Sequence, residues 1–469
     1  MTIRQGLGLA ATSLLILLAA PAQYFGRQHD DVIYFIASQS LSQGTYRLLT
    51  TPGLPLLTMT SPGFPLLLLP LALVFNEWVP AYQAFCVLVL ATAPWVVWLW
   101  LREELGPSQA LLAAAVFGSS PLVLSQSGTV MPEGAYLVLA VLLLIALGRR
   151  RSRPAGMLLL ALTQLRPAGL SLLPAVLAGP LRERRWKDAA WAAGPALLGI
   201  FAWWAWARSA GGVQEAREFA VSYAGQPAFH ALALAFDNAR FYLAALGSCH
   251  VPASLASGPA ALAAGAGLAL LAAAGLYRRL KADPADPSSL ILLGACAMHL
   301  VWGWQYERYL ACLLPWILWA AAGFLRKRAE AALWVLLATQ LVFHVPAVLA
   351  ASRGSVPELS RTYAWISGSG KAPAGLLASA LYVRDGWYTA RPGIPLPDDE
   401  RIEDFAARLK ARRIGLVLWQ DGLDIGTTRP GSSPLQRKLD AAGRHLQDRR
   451  FFTLVHEDPG EGSKVYALR

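Results

Sequence analysis

The sequence predicts a polytopic α-helical membrane protein with a small α/β domain at its C-terminus. Three observations lead there. Of 469 residues, 55% are hydrophobic and 15% charged, whereas an ordinary soluble domain carries about a quarter charged residues. Residues 1–350 hold 23 Lys+Arg and 15 Asp+Glu, about 11% of that segment, while residues 351–469 hold 18 and 14, about 27%. The basic residues behind the net charge of +12 gather in short clusters between apolar runs, as Lys and Arg do on the cytoplasmic side of a membrane. That placement, without a basic stripe interleaved with aromatics, argues against a nucleic-acid partner. Cys86, Cys249, Cys296 and Cys312 show no CxxC or metal-ligand spacing.

Taken in order, the first apolar run (7–22) follows Arg4 and is read as a retained span rather than a cleaved signal peptide, since many spans follow. Residues 63–76 are short for a crossing and read as a re-entrant or interfacial helix within a first outer loop, 23–79. Spans are expected at 80–101, 109–127 and 131–148. Residues 155–180 lie between two basic clusters and so form a hairpin, its apex at Arg166-Pro167. Spans at 188–207, 258–277, 286–303, 306–325 and 331–350 complete about 11 crossings, with 208–257 as an outer loop. This threading leaves 16 of the 23 basic residues before position 350 in cytoplasmic segments and puts the C-terminal domain outside. Within 351–469, helices at 398–413 and 433–449 alternate with strands at 414–419, 451–458 and 464–469, the pattern of a small α/β domain.

Charges at membrane depth are costly and mark functional sites by default. On this threading the outer side collects His29-Asp30-Asp31, Glu133, Arg166 and Glu307-Arg308, from four separate stretches. The stretch after Asp31, IYFIASQSLSQG, has amphipathic spacing and would lie along the membrane surface. A carboxylate there could serve as general base or simply cap the helix. Glu133 opens a span behind Pro132, where an acid complements the helix dipole. Arg166 needs an anionic partner, either a phosphate or one of the outer acids. Arg308 could pair with neighbouring Glu307 or snorkel to the interface. Within the outer loop, Tyr223, His230, Asp237, Asn238, Arg240 and Tyr242 are candidates for the acceptor side.

HDDVIYFIASQSLSQGTY followed by SPGFPLLLLPLALVF resembles the first outer loop of the GT-C superfamily of integral-membrane glycosyltransferases. Glu133, LTQLRPAGLSLLP and ERYLACLLPWIL are similar to later family segments and fall in family order. Within the superfamily the chain resembles the bacterial aminoarabinose transferase and protein mannosyltransferase-like group. The chain departs from that pattern in having Ser61 where many members have Pro, and Asp31 where Glu is commoner. The resemblance implies a GT-C fold over residues 1–350 and an extracytoplasmic domain over 351–469. It also implies an inverting transfer of a monosaccharide from a polyprenyl-phosphate donor to a lipid, glycan or protein acceptor, on the outer face of the bacterial cytoplasmic membrane. Carried over by position, Asp30 is the general base, with Asp31 the second catalytic acid. Arg166 and Arg308 contact the donor phosphate, and Glu133 and His29 support acid, metal or acceptor contacts. A divalent metal is left open by the chemistry of these donors. The rival expectations are a polysaccharide ligase or polymerase and a non-enzymatic lipid-sugar flippase.

Overall fold

A computed structural model describes residues 1–469 except 23, 212–228, 352–355, 369, 371, 400 and 424–433. Helix α1 (Ile3–Ala19) opens on a capping box, in which the Thr2 hydroxyl accepts from Gln5 N and the Gln5 side chain accepts from Thr2 N. Then come α2 (Asp30–Ser42), α3 (Gly63–Phe75), α4 (Val79–Leu105), α5 (Pro107–Ser119), the one-turn α6 (Pro121–Leu124) and α7 (Glu133–Gly148). The predicted hairpin is α8 (Ser152–Leu165) and α9 (Leu173–Arg182), joined by a 3₁₀ turn over Pro167–Leu172. Pro167 disfavours helical backbone in the residue before it. Arg166 is accordingly extended (φ −152°, ψ 134°), and α8 stops there.

The chain continues through α10 (Trp186–Ser209), α11 (His230–Ser248), α12 (Pro259–Ala282), α13 (Pro287–Val301) and α14 (Arg308–Leu325). Helix α15 (Ala329–Thr339), a π turn over Gln340–His344 and α16 (Val345–Ala351) end the helical part. Among the described residues, three runs are long and apolar enough to cross a membrane: Val79–Leu105, Pro259–Ala282 and Arg308–Ala351. The last is interrupted at Arg326, whose φ is 53°. Ile3–Ala19, Gly63–Phe75, Glu133–Gly148 and Pro287–Val301 are apolar but shorter, at 17 residues or fewer.

Two expectations change. Residues 230–248, expected within an outer loop, form the 19-residue α11, which packs on α12. The two backbones meet at glycines: a Cβ on Gly247 would overlap the Ala261 carbonyl, and one on Gly265 the Leu243 carbonyl. Small residues allow this approach where packing alone holds helices together. The second change concerns α2, expected to lie amphipathically on a surface. Every residue from Asp31 to Ser40 is buried. Phe35 meets Tyr82 of α4 edge-on at 4.8 Å, and Tyr34 meets Phe64 of α3 at 5.0 Å.

Residues 376–468 build a five-stranded sheet in the order β2-β1-β3-β5-β4. The strands are β1 (Leu376–Ser379), β2 (Gly393–Pro395), β3 (Ile414–Gln420), β4 (Phe452–Asp458) and β5 (Ser463–Leu468). Strands β1, β2 and β3 run parallel, with Leu377 opposite Gly393 and Leu416; β5 is antiparallel to β3 and β4. Around the sheet lie α17 (Ser360–Gly368), α18 (Tyr382–Thr389), α19 (Ile402–Ala411) and α20 (Pro434–His445). The spacing of Phe405 and Leu409 puts both on the face of α19 that buries against the sheet.

The sheet unit packs on the first loop through α18. The Tyr388 hydroxyl donates to the Phe25 carbonyl, and the Trp387 ring meets Phe35 at 5.0 Å and Phe25 at 6.2 Å. Gly393 N donates to Thr50 O at 2.8 Å.

Candidate active site

Four of the predicted charges converge. The apex of the α8–α9 hairpin projects Arg166, the first turn of α14 projects Arg308, α7 begins at Glu133, and α2 begins at Asp30. Glu133 joins both guanidinium groups, its Oε1 lying 3.0 Å from Arg166 Nη1 and 3.5 Å from Arg308 Nε. Arg308 also reaches Asp30 Oδ2 at 2.6 Å and donates to Gln28 Oε1 at 2.8 Å. Aromatic faces complete the setting. The Arg308 guanidinium lies 4.2 Å from the Tyr306 ring centre, and Arg166 lies 5.1 Å from that of Tyr309.

Exposure separates these groups. The side chains of Glu133 and Arg308 are each 3% exposed, Arg166 16% and Asp30 35%. Asp30, Arg166 and Arg308 line a cavity of about 1470 Å³, together with His29, Tyr34 and Glu307. Glu133 stands behind that wall, and its Oε2 has no hydrogen-bond donor among the described residues. A buried carboxylate between two guanidinium groups holds both in place and balances their charge before an outside anion arrives.

Asp31 faces the other way. It is fully buried, and its two oxygens accept from Gly26 N and Val32 N, each at 2.9 Å. Burial outweighs those two hydrogen bonds and pushes its carboxyl up to about 7. Gly26 has φ +89° and sits against Tyr388 and Arg384, so it supplies the tight turn that Asp31 closes. His29 is on the cavity wall with φ 55°, an uncommon conformation for a side-chain-bearing residue. Burial, with Arg384 and Arg308 nearby, holds its imidazole down at about 4, against the opposing pull of Asp30. Its Nδ1 is buried without a partner among the described residues.

The position of Arg166 follows from the first loop. Ser61 Oγ donates to the Gln164 carbonyl at 2.7 Å, and a Cβ on Gly63 would overlap the Gln164 backbone. The SPG stretch is thus the seat of the hairpin apex. Asn238 does the same for the far wall. It is fully buried and donates to the carbonyls of His299, Leu300 and Trp302, while Gln305 Nε2 donates back to Asn238 Oδ1 at 3.0 Å. Tyr242 packs edge-on against His299 at 5.8 Å. Tyr223 lies outside the described residues, and His230, Asp237 and Arg240 do not line the cavity.

Sequence reasoning missed the lining from the sheet unit, which includes Tyr382, Arg384 and Gln420. Arg384 donates to Asp385 Oδ1 at 3.0 Å, and Asp385 also accepts from the Tyr363 hydroxyl at 2.6 Å. The signal available was the adjacent Arg-Asp pair inside the apolar-aromatic stretch LYVRDGWY.

The donor set does not suit a metal ion. Asp30 is held by Arg308, both Asp31 oxygens are taken by backbone N–H groups, and Glu133 sits between two cations. Among the described residues no three His, Cys, Asp or Glu side chains group as metal ligands.

No family model and no curated protein matches the sequence. Solved structures do. The chain is similar to an Archaeoglobus fulgidus oligosaccharyltransferase tethered to an acceptor peptide containing the NVT sequon. That match has a TM-score of 0.55 and 13% identity, over 89% of this chain and 69% of that one. A second structure of this archaeal protein, AglB, holds an inhibitory peptide and a dolichol-phosphate (TM-score 0.51, 13% identity, 89% and 69% covered). ArnT from Cupriavidus metallidurans, bound to undecaprenyl phosphate, matches over 98% of this chain and 97% of its own (TM-score 0.50, 12% identity). Both proteins are GT-C glycosyltransferases. The chain has a GT-C fold. Within that fold, Asp30 of the first loop and the two arginines that resembled family motifs meet at one cavity, while Asp31 is turned away from it.

Proposed function

We propose that the chain is an inverting glycosyltransferase that moves a sugar from a polyprenyl-phosphate donor to an acceptor on the outer face of a bacterial cytoplasmic membrane. The observation that carries this is Asp30 beside Arg308 and Arg166 on the wall of one large cavity. The fold supports it, since ArnT and AglB were solved with lipid phosphates. In this reading about 11 helical segments cross the membrane, residues 351–469 lie outside the cell membrane, and the acceptor is a lipid, glycan or protein.

The chemistry uses the groups in place. Asp30 takes the proton of the acceptor hydroxyl as its oxygen attacks the anomeric carbon. The bond from that carbon to the phosphate oxygen breaks, and its electron pair stays on the departing lipid phosphate. Arg166 and Arg308 meet the charge that develops there, already oriented by Glu133 and the tyrosine faces. Arrival of the phosphate draws Arg308 from Asp30 and leaves that carboxylate to receive a proton. Asp31 closes the turn that sets Asp30, and His29 shapes the wall.

The test supplies purified protein in nanodiscs with a panel of polyprenyl-phosphate sugars and membrane-extracted acceptors, and reads the product by mass spectrometry. Transfer by the parent chain and its loss in Asp30→Asn are expected. A variant that keeps near-normal transfer sinks the assignment of the base, and movement of lipid-linked sugar across the bilayer without covalent transfer favours a flippase.

A further inference from the structure

The reaction cavity has an annex in the sheet unit. Strand β1 leads through α18 to β2 on one side, and β2 then leads through α19 to β3 on the other side of β1. The direction of winding therefore reverses between the parallel strands β1 and β3. In open α/β sheets, ligands bind in the crevice outside the carboxyl ends of strands at such a reversal. A crevice of about 160 Å³ is found there, lined by Ala380 after β1, Trp419 and Gln420 at the end of β3, Gly422, and Leu439 and Asp440 of α20. Ala380, Gln420 and Gly422 also line the large cavity, so the two spaces share a wall. At the end of β1, Ser379 is 1% exposed and its hydroxyl has no partner among the described residues.

We infer that this crevice is a sugar-binding subsite for the acceptor, an inference that rests on the transfer reaction proposed above. Size selects the class. A cavity of about 150 Å³ takes a single six-membered ring such as benzene, so a crevice of about 160 Å³ takes one hydroxylated ring rather than a peptide or a lipid tail. Chemistry agrees. The described lining carries no Lys or Arg to hold an anion. Apolar Leu439 and the Trp419 side chain suit the C–H face of a sugar, while the Gln420 amide and the Asp440 carboxylate suit its hydroxyls. Gln420 also bonds toward Arg384 at 3.5 Å and Glu358 at 3.4 Å, two residues of the reaction cavity. An acceptor ring seated in the crevice would thus extend from a wall the two spaces share.

The experiment titrates the full-length protein in nanodiscs with methyl α-glucoside, methyl α-mannoside, methyl α-galactoside and methyl β-N-acetylglucosaminide. Binding is read by saturation-transfer NMR. At least one glycoside should saturate in the parent chain, and its affinity should fall at least tenfold in both Gln420→Ala and Asp440→Asn. Asp30→Asn should bind that glycoside as the parent does while losing transfer, which separates this inference from the reading of the base. Each variant's thermal unfolding is recorded, so a loss of binding counts only with an unchanged melting temperature. If one variant unfolds, the other decides. Failure of every glycoside to saturate, or saturation unaffected by a folded crevice variant, overturns the inference.

Discussion

Asp30 and Asp31 are adjacent, yet helix geometry turns them about 100° apart and gives them opposite surroundings. Asp30 keeps a third of its side chain in the cavity, so Asp30→Asn should cut turnover roughly 10²- to 10⁴-fold, the usual weight of a general base. Asp31 should speak instead through stability. Its carboxyl is pushed up to about 7 by burial, while the unfolded chain releases that proton near 3.9. Between those values the folded state holds the proton and the unfolded state does not, so stability falls as pH rises from about 4 to about 7. Because His29, held down at about 4, adds an opposing slope over much of that range, the Asp31 contribution is read as the difference in melting temperature between parent and Asp31→Asn, and that difference should shift against the parent as pH rises. Arg308→Gln leaves Glu133 one cation short and Asp30 unpaired. Breaking a buried pair in this way costs about 3 kcal/mol, readable in denaturant unfolding. At this scale the sequence disclosed which charges would gather, because a charge among apolar residues is conspicuous. The partnerships were hidden, because Arg166 could equally seek a phosphate or an acid and the contact with Glu133 joins helices distant in the chain.

Among the elements, the hairpin was legible from two basic clusters and an Arg-Pro between them. Its seating was not. Gly63 and Ser61 lie about a hundred residues before Gln164, and only the folded chain puts the glycine where a Cβ would strike that backbone. Gly63→Ala should destabilise by about 1–3 kcal/mol and displace Arg166, lowering turnover at saturating donor. Unfolding curves and single-turnover rates would separate the two effects. Helix α11 escaped hydropathy because Asp237, Asn238 and Arg240 interrupt its apolar run. Asn238 nevertheless belongs inside, since carbonyls left open at the end of α13 accept both of its amide hydrogens. Helix α2 misled for the opposite reason. Its spacing suggested one apolar face, but Ser38, Gln39 and Ser40 are buried too, with Gln39 bonded to Asn76 O and Tyr82.

Across the whole molecule, the sheet unit belongs to the site as much as the helices do. Its strands could be read from local pattern, but the docking of α18 on the first loop could not, since nothing in either segment names the other. Trp387→Ala should loosen that docking, and hydrogen exchange should report faster deuteration of residues 25–35 while the strands of the sheet keep their protection. Equal deuteration in parent and variant would place the grip elsewhere. The hydrogen bond from Tyr388 to Phe25 closes a span of 363 residues. At ribosomal speeds of about 5–20 residues per second, the loop bearing Asp30 waits some tens of seconds for that partner to be made. Over that interval the helices after the first loop are made one by one, while the loop still lacks its contacts with α18. A chain halted before residue 382 would therefore carry the loop bearing Asp30 without the α18 contacts at Phe25 and Phe35 that hold it.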